Sequence, residues 1–322
     1  MLHSNGAVCK LVNLQFSRHF SLIKHSLSNQ HLVNGNFLCY NATMKVKVYA
    51  KLNLTLNVFP KEGNFHPIDS VVTSVNIWDV VEVKPRKDKR VKIKGFMPTP
   101  ENIAYKTAMS FVDQFDTLGV DICIKKGIPV GAGMGGSSAD SAGVIYCMCK
   151  LFGVDIDSPQ IANLCATLGS DISFMLKGGI ARMQGKGDDV TFGDSPLDLH
   201  FVLTTFTQSM STADVYNAFD ALPEQRKTDC EKLFNLLCDG NLAVELQNNN
   251  LQPACQSLSS YAQSYIQCAR DLGYTPNMTG SGSAYYIWCN SQEEAEQVAS
   301  ALKQKGFNCS VVQSVPVGVE VI

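Results

Sequence analysis

Ile128-Pro-Val-Gly-Ala-Gly-Met-Gly-Gly-Ser-Ser-Ala-Asp-Ser-Ala-Gly143 is the segment on which the fold turns. It follows Asp121–Ile128, whose apolar alternation predicts a strand, and opens into Ser137–Phe152, whose spacing predicts a helix. Gly131, Gly133, Gly135 and Gly136 carry no Cβ that would hold an anion away from backbone N–H groups. Ser137 and Ser138 fall at the helix start, where unpaired amides and the helix dipole favour negative charge. A plain strand-to-helix turn competes with this reading, but such turns commonly need one or two glycines, and this one has four plus two serines. The stretch is therefore expected to cradle phosphate. Gly131 to Gly136 has Walker A spacing, but Ser137 stands where the lysine is required. Gly131-x-Gly133-x-x-Gly136 also matches a dinucleotide fingerprint, with Asp155 about 20 residues on. That reading needs a second strand ending at the acid. Gly153-Val-Asp-Ile-Asp-Ser-Pro159 instead reads as a loop leading to a helix, with Ser158 at the N-cap and Pro159 at N1.

Upstream, Val46, Val48 and Ala50 followed by Leu52, Leu54, Leu56 and Val58 alternate with the period of a half-buried strand. Strands are also expected at Val71–Val83, Val91–Ile93, Ile180–Met183, Phe201–Thr205, Ala284–Trp288 and Asn308–Val312. Helices are expected at Asn102–Phe115, Ser158–Leu168, Ser211–Ala221, Asp229–Leu237, Pro253–Leu272 and Gln292–Lys305. The class is α+β. The 322 residues favour two domains, with a border near Gly193-Asp-Ser-Pro196, giving 44–198 and 199–322.

Residues 1–43 contain no Asp or Glu, are rich in Ser and Asn, and carry Lys10, Arg18 and Lys24. An organelle leader and an extension read in from an upstream start both fit. The extension, disordered and ahead of the fold, is the favoured reading because Met44 directly precedes the first convincing strand. A 45% hydrophobic, 17% charged chain of net charge -2 is an ordinary globular composition. It has no basic excess for nucleic acid, and no uncharged apolar run long enough for a membrane. The 12 cysteines form no Cys-x-x-Cys, so they are expected to be reduced and structural, in a cytoplasmic protein. A small-molecule partner is expected.

Three segments together resemble the GHMP kinase superfamily. Ala50-Lys-Leu-Asn-Leu54 is similar to its first motif, Pro129–Ala139 to its second, ATP-binding motif, and Thr279-Gly-Ser-Gly-Ser-Ala284 to its third. The likeness spans residues 44–322. It implies a ribosomal protein S5 domain 2-like N-terminal domain and a ferredoxin-like C-terminal domain. Within the superfamily the match is closest to the branch acting on a diphosphocytidyl-linked methylerythritol in the non-mevalonate isoprenoid route. The matching blocks are Lys51 with Asn53, Gly63-Asn-Phe65-His66, Gly169-Ser-Asp171-Ile-Ser-Phe174 and Gly185-Lys-Gly187-Asp188. Departures are Phe65 for the usual Tyr, Ser170 for Ala, Ser173 for Pro and the third-motif sequence; none removes a reactive group.

The resemblance implies ATP held by Pro129, Val130, Gly131, Ala132, Gly133, Met134, Gly135, Gly136, Ser137, Ser138 and Ala139. Magnesium would accompany it near Ser137 or Ser138, without a dedicated protein cage. Asp171 is implied as the acceptor of the substrate hydroxyl proton and Lys51 as its cationic neighbour. From the sequence alone Asp171 reads equally well as a helix cap, whereas Lys51 interrupts an apolar strand and requires a partner or a cleft. For a substrate with a cytidine diphosphate group, Phe65 offers a face for the base, His66 its peptide groups, Tyr216 a second ring and Asn53 a hydrogen bond. Core packing is the competing reading for both aromatics. Other enzymes of the superfamily, acting on mevalonate derivatives, homoserine or sugars, and a non-catalytic sensor on the same fold are the alternatives.

Overall fold

The computed structural model describes residues 30–33, 36–39, 42–206 and 210–322. Strands β1 (Gln30–Val33) and β2 (Asn36–Cys39) pair antiparallel; most of the expected N-terminal extension lies outside the described residues. The main sheet begins with β3 (Met44–Asn53) and β4 (Thr55–Val58). Its spine is β5 (Ile68–Pro85), an 18-residue strand, followed by β6 (Lys92–Gly95). Next come α1 (Ile103–Phe115), β7 (Val120–Lys125), α2 (Gly136–Phe152), α3 (Pro159–Leu168), α4 (Ile172–Lys177), β8 (Ile180–Gly185) and β9 (Asp189–Gly193). One half of β5 pairs antiparallel with β4 and β8, the other with β7, and β3 runs antiparallel to most of it. Tyr49 faces Trp78 but Ala50 faces Val75, so β5 carries two extra residues there. This bulge bends the sheet one residue before Lys51.

Helix α2 is buried nearly all round, and Gly143 sets how close it comes to the sheet. A Cβ at Gly143 would lie 2.7 Å from Val48 Cγ2 and 2.8 Å from Val81 Cγ2. Close docking of α2 on β3 and β5 brings the helix start, and the glycine loop before it, over the end of β3 that carries Lys51.

The second half contributes β10 (His200–Thr204), α5 (Thr212–Asp220), α6 (Cys230–Cys238), β11 (Asn248–Asn249), α7 (Gln252–Leu258) and α8 (Ser260–Asp271). It continues with β12 (Asn277–Met278), β13 (Tyr285–Cys289), α9 (Gln292–Gln304), β14 (Cys309–Gln313) and β15 (Val319–Val321). The order β12-β13-β10-β14, antiparallel throughout, is ferredoxin-like. Its strands serve two cores by alternation: Phe201, Leu203, Tyr286 and Trp288 face the main sheet's core, while Val202, Tyr285, Ile287 and Cys289 pack with α8 and α9. The chain also crosses back. β15 pairs with β3, β11 pairs with β4, and Leu233 and Leu237 of α6 join the first core.

The helix expected over Pro253–Leu272 is two helices. Ser259 takes extended backbone between them, and its hydroxyl accepts the N–H of Ala262, capping α8. Ser158 occupies its expected N-cap position, but its side chain makes no cap hydrogen bond. The ten cysteines from Cys123 to Cys309 are free, and among the described residues no helix is long and apolar enough to cross a membrane.

Candidate active site

The glycine loop has a left-handed residue at every second position: φ is +69° at Gly131, +74° at Gly133 and +75° at Gly135. Such alternation turns successive N–H groups to one side, making a concavity suited to an anion. Gly135 occupies the N-cap of α2 and supplies no side-chain acceptor, so the amides of the first turn are available to a ligand. Ala132 and Met134 turn inward and are buried, while Val130 stands 62% exposed at the rim. The loop borders a cleft of about 500 Å³ whose other wall is Phe96, Met97, Asn102, Ile103 and Leu168. Asn102 shapes that wall: its Nδ2 donates to the carbonyls of Phe96 and Met97 at 3.2 Å each, and its Oδ1 caps α1 through Ala104.

The three glycine- and lysine-bearing segments meet here. The N–H of Lys51 donates to the carbonyl of Met134 at 3.1 Å, and Thr279 Oγ1 donates to the carbonyl of Gly133 at 3.3 Å. A Cβ on Gly133 would lie 2.2 Å from the Thr279 carbonyl oxygen, and one on Gly135 would lie 3.2 Å from Lys51 Cγ. These glycines are contact surfaces between segments as well as turn residues.

Lys51 is 6% exposed and lies 3.6 Å, Nζ to Oδ2, from Asp171. Its short contact is to Asn53, whose Oδ1 accepts from Lys51 Nζ at 2.6 Å. The same Asn53 oxygen accepts from the N–H of Gly280 at 2.9 Å and from Thr279 Oγ1 at 3.3 Å, and its Nδ2 donates to Ser70 Oγ at 2.8 Å. Asn53, expected to touch substrate, is thus 3% exposed and built into the support of the lysine. Asp171 starts α4 but makes no side-chain cap hydrogen bond, which removes the capping reading. Its side chain is about one-third exposed and within ion-pair range of a buried ammonium.

The expected base-binding residues gather partly. The His66 ring lies 5.0 Å from that of Tyr216 and 6.2 Å from that of Phe219, with Nε2 at 2.7 Å from Asp220 Oδ1. Burial, then the negative charge of Asp171, push the Tyr216 hydroxyl above the usual phenol range, so this hydroxyl lies within electrostatic reach of the Asp171 carboxylate. Phe65 sits apart, with the Lys186 ammonium 4.7 Å from its ring centroid. A Cβ on Gly187 would fall 3.2 Å from Ser170 Cβ, so the turn carrying Lys186 abuts the Asp171 loop.

Sequence reasoning overlooked Lys126, Asp79 and Asp140. Lys126 Nζ pairs with Asp79 and lies 2.9 Å from Asp140 Oδ2, and both carboxylates are buried. Burial pushes the Asp140 carboxyl up, opposed by Lys126. Asp79 gives the same signal that singled out Lys51, a charge inside an apolar strand. Asp155, the acid of the dinucleotide reading, only accepts the N–H of Asp157 in the turn after α2.

Residues 102–181 match the GHMP kinases N terminal domain, and residues 232–308 match the GHMP kinases C terminal domain. A 4-diphosphocytidyl-2-C-methyl-D-erythritol kinase of Clostridium acetobutylicum is 30% identical over 273 residues, 81% of this chain and 96% of the relative. The corresponding kinase of Desulfitobacterium hafniense is 30% identical over 278 residues, 84% and 95% of the two chains. A crystal structure of 4-(cytidine 5'-diphospho)-2C-methyl-D-erythritol kinase superposes with a TM-score of 0.71 at 26% identity, covering 84% of this chain and all of that one. Homoserine kinase from Cytophaga hutchinsonii, at 18% identity and a TM-score of 0.70 over 91% of this chain, shares the fold. With Lys51 tied to the glycine loop through Met134 and lying in ion-pair range of Asp171, these matches make the chain a kinase, and it belongs to the 4-diphosphocytidyl-2-C-methyl-D-erythritol kinase family of the GHMP kinases.

Proposed function

We propose that the protein transfers the γ-phosphoryl group of ATP to a hydroxyl of 4-diphosphocytidyl-2-C-methyl-D-erythritol, giving the 2-phosphate for isoprenoid precursor synthesis. The observation that carries this reading is the Lys51–Asp171 pair at 3.6 Å beneath an uncapped, glycine-lined helix start. Phosphoryl transfer spreads negative charge over the transferred group, so catalysis consists mostly of positioning and of positive charge. Asp171 accepts the hydroxyl proton as that oxygen attacks phosphorus and ADP departs. Its separation from Lys51 exceeds a normal hydrogen bond, so the carboxylate lies beside the ammonium without being tied to it. Lys51, held by Asn53, offsets the charge developing on the attacking oxygen. The residues suit Mg²⁺ carried by phosphate, because Ser137 and Ser138 offer hydroxyls at the start of α2. When bound with ATP the ion would supply charge neutralisation at the phosphates. The free thiols fit a reducing, cytoplasmic setting.

The cytidine end is assigned to Phe65, His66 and Tyr216. Base stacking on an aromatic side chain contributes about 1–3 kcal/mol. Phe65→Ala should therefore raise KM for the diphosphocytidyl substrate by roughly 5- to 150-fold, leaving KM for ATP within about twofold; Tyr216→Ala should act in the same direction. Steady-state kinetics with each substrate varied in turn decides this, and an unchanged substrate KM in both variants would remove the aromatics from the site.

Substrate identity is tested by incubating the protein with Mg-ATP and a set of acceptors: the diphosphocytidyl polyol, the same polyol without cytidine, mevalonate, homoserine and a hexose. ADP release is expected only with the first. Release with homoserine or mevalonate instead would move the chain to another branch of the fold, and release with none would favour the non-catalytic sensor.

A further inference from the structure

The glycine loop enters and leaves through one buried cluster that the phosphoryl-transfer chemistry does not use. Asp79, on β5, is fully buried. Its Oδ1 accepts the N–H of Gly127 at 2.7 Å and of Ile128 at 2.9 Å, at the loop entrance, and its Oδ2 pairs with the Lys126 ammonium. That ammonium also reaches the loop exit, donating to the carbonyl of Gly136 at 3.2 Å, at the first residue of α2, and to Asp140 Oδ2 at 2.9 Å, one turn further on. An ammonium has three N–H donors. Asp79, Asp140 and Gly136 take all three, leaving none for a phosphate, although Lys126 borders the nucleotide cleft.

From this geometry we infer that Asp79, Lys126 and Asp140 form a buckle joining the two ends of the glycine loop, which sets its opening and hence its affinity for the nucleotide. Lys126 is a positioning residue here and does not replace the lysine that a Walker A loop would place on the phosphates. The buckle also couples the loop to β5, because Asp79 is paired in the sheet with Val48 of β3. Loss of the buckle would therefore misplace the amide donors of the loop while the pairing of Lys51 with Ser74 in the sheet persists. Misplacement of binding groups on the ångström scale costs up to about a hundredfold.

This inference rests on the kinase reading, so its test measures nucleotide binding without any acceptor. ATP and ADP are titrated calorimetrically into the full chain and into Asp140→Ala, Asp140→Asn and Lys126→Met, with melting curves recorded for each. Asp140→Ala is expected to weaken ATP binding by about tenfold to a hundredfold. Asp140→Asn, whose side-chain oxygen still accepts from Lys126, is expected to recover most of that loss, and Lys126→Met is expected to match Asp140→Ala. If Lys126→Met fails to fold, the two Asp140 variants decide alone. A folded Asp140→Ala that binds ATP like the parent chain, or an Asp140→Asn as weak as Asp140→Ala, would overturn the buckle. A parent chain that binds no ATP would instead sink the kinase reading together with the inference built on it.

Discussion

Asp171→Asn is expected to lower kcat by roughly 10²- to 10⁴-fold while leaving the melting curve and ATP affinity close to those of the parent chain. The size of the effect follows from the proton: the asparagine side chain cannot accept it from the attacking hydroxyl. The unchanged fold follows from the helix start. Asp171 makes no side-chain cap hydrogen bond to α4, and it is one-third exposed, so no buried partner is orphaned except the Lys51 ammonium. That ammonium keeps its 2.6 Å contact with Asn53. Lys51→Ala should produce a comparable fall in kcat, with an added cost in stability from the lost buried hydrogen bond to Asn53. Turnover and thermal melting, measured on the same purified variants, separate the two effects. Parent-like turnover in folded Asp171→Asn would end its assignment as the proton acceptor.

Gly133→Ala is expected to damage both the site and the fold. With φ at +74°, an alanine there adopts backbone that L-residues disfavour, at about 1–3 kcal/mol. Its Cβ would also meet the Thr279 carbonyl oxygen at 2.2 Å. Overpacking against a backbone atom costs about another 1–3 kcal/mol, since no side chain can rotate away. A total of about 2–6 kcal/mol should appear as a lower midpoint in denaturant unfolding. The clash also pushes the loop from the turn that ties Asn53, and through it Lys51, so kcat/KM for ATP should fall by more than the loss of folded protein explains. Gly273→Ala serves as the comparison: its φ is +87° but a Cβ there has nothing within 4 Å, so it isolates the backbone cost from the clash. Equal destabilisation of the two variants would refute the contact role assigned to Gly133.

Local pattern carried much of this architecture and little of its long-range wiring. The glycine loop, the strand with Lys51 and the helix over Ser137–Phe152 were legible because glycine spacing and apolar periodicity are properties of contiguous residues. The short strand β15 was not, because three residues of Val-Glu-Val show no period, and their place beside β3 is set by pairing across most of the chain. The break at Ser259 was hidden for a related reason: serine is tolerated in a helix, and only its observed extended backbone and cap show that it ends one helix and starts the next. At the site, the meeting of Lys51 with Asp171 came from family resemblance, since nothing local to either residue specifies the other. Asn53 illustrates a further limit. Strand parity put it on the same face as Lys51, but its four hydrogen-bond partners come from the first and third motifs and β5, which only the folded chain brings together. Asp79 was available to sequence reasoning as a charge in an apolar strand, yet its partner Lys126 follows β7, and the second carboxylate on that lysine, Asp140, lies on α2.

A crystal structure of the complex with a non-hydrolysable ATP analogue and the diphosphocytidyl polyol would test the central arrangement most directly. The account predicts the triphosphate against the N–H groups of Gly133 to Ser138, with the acceptor hydroxyl within about 2.6–3.2 Å of an Asp171 carboxylate oxygen. A triphosphate bound away from that loop, or an acceptor hydroxyl that faces neither Asp171 nor Lys51, would contradict it.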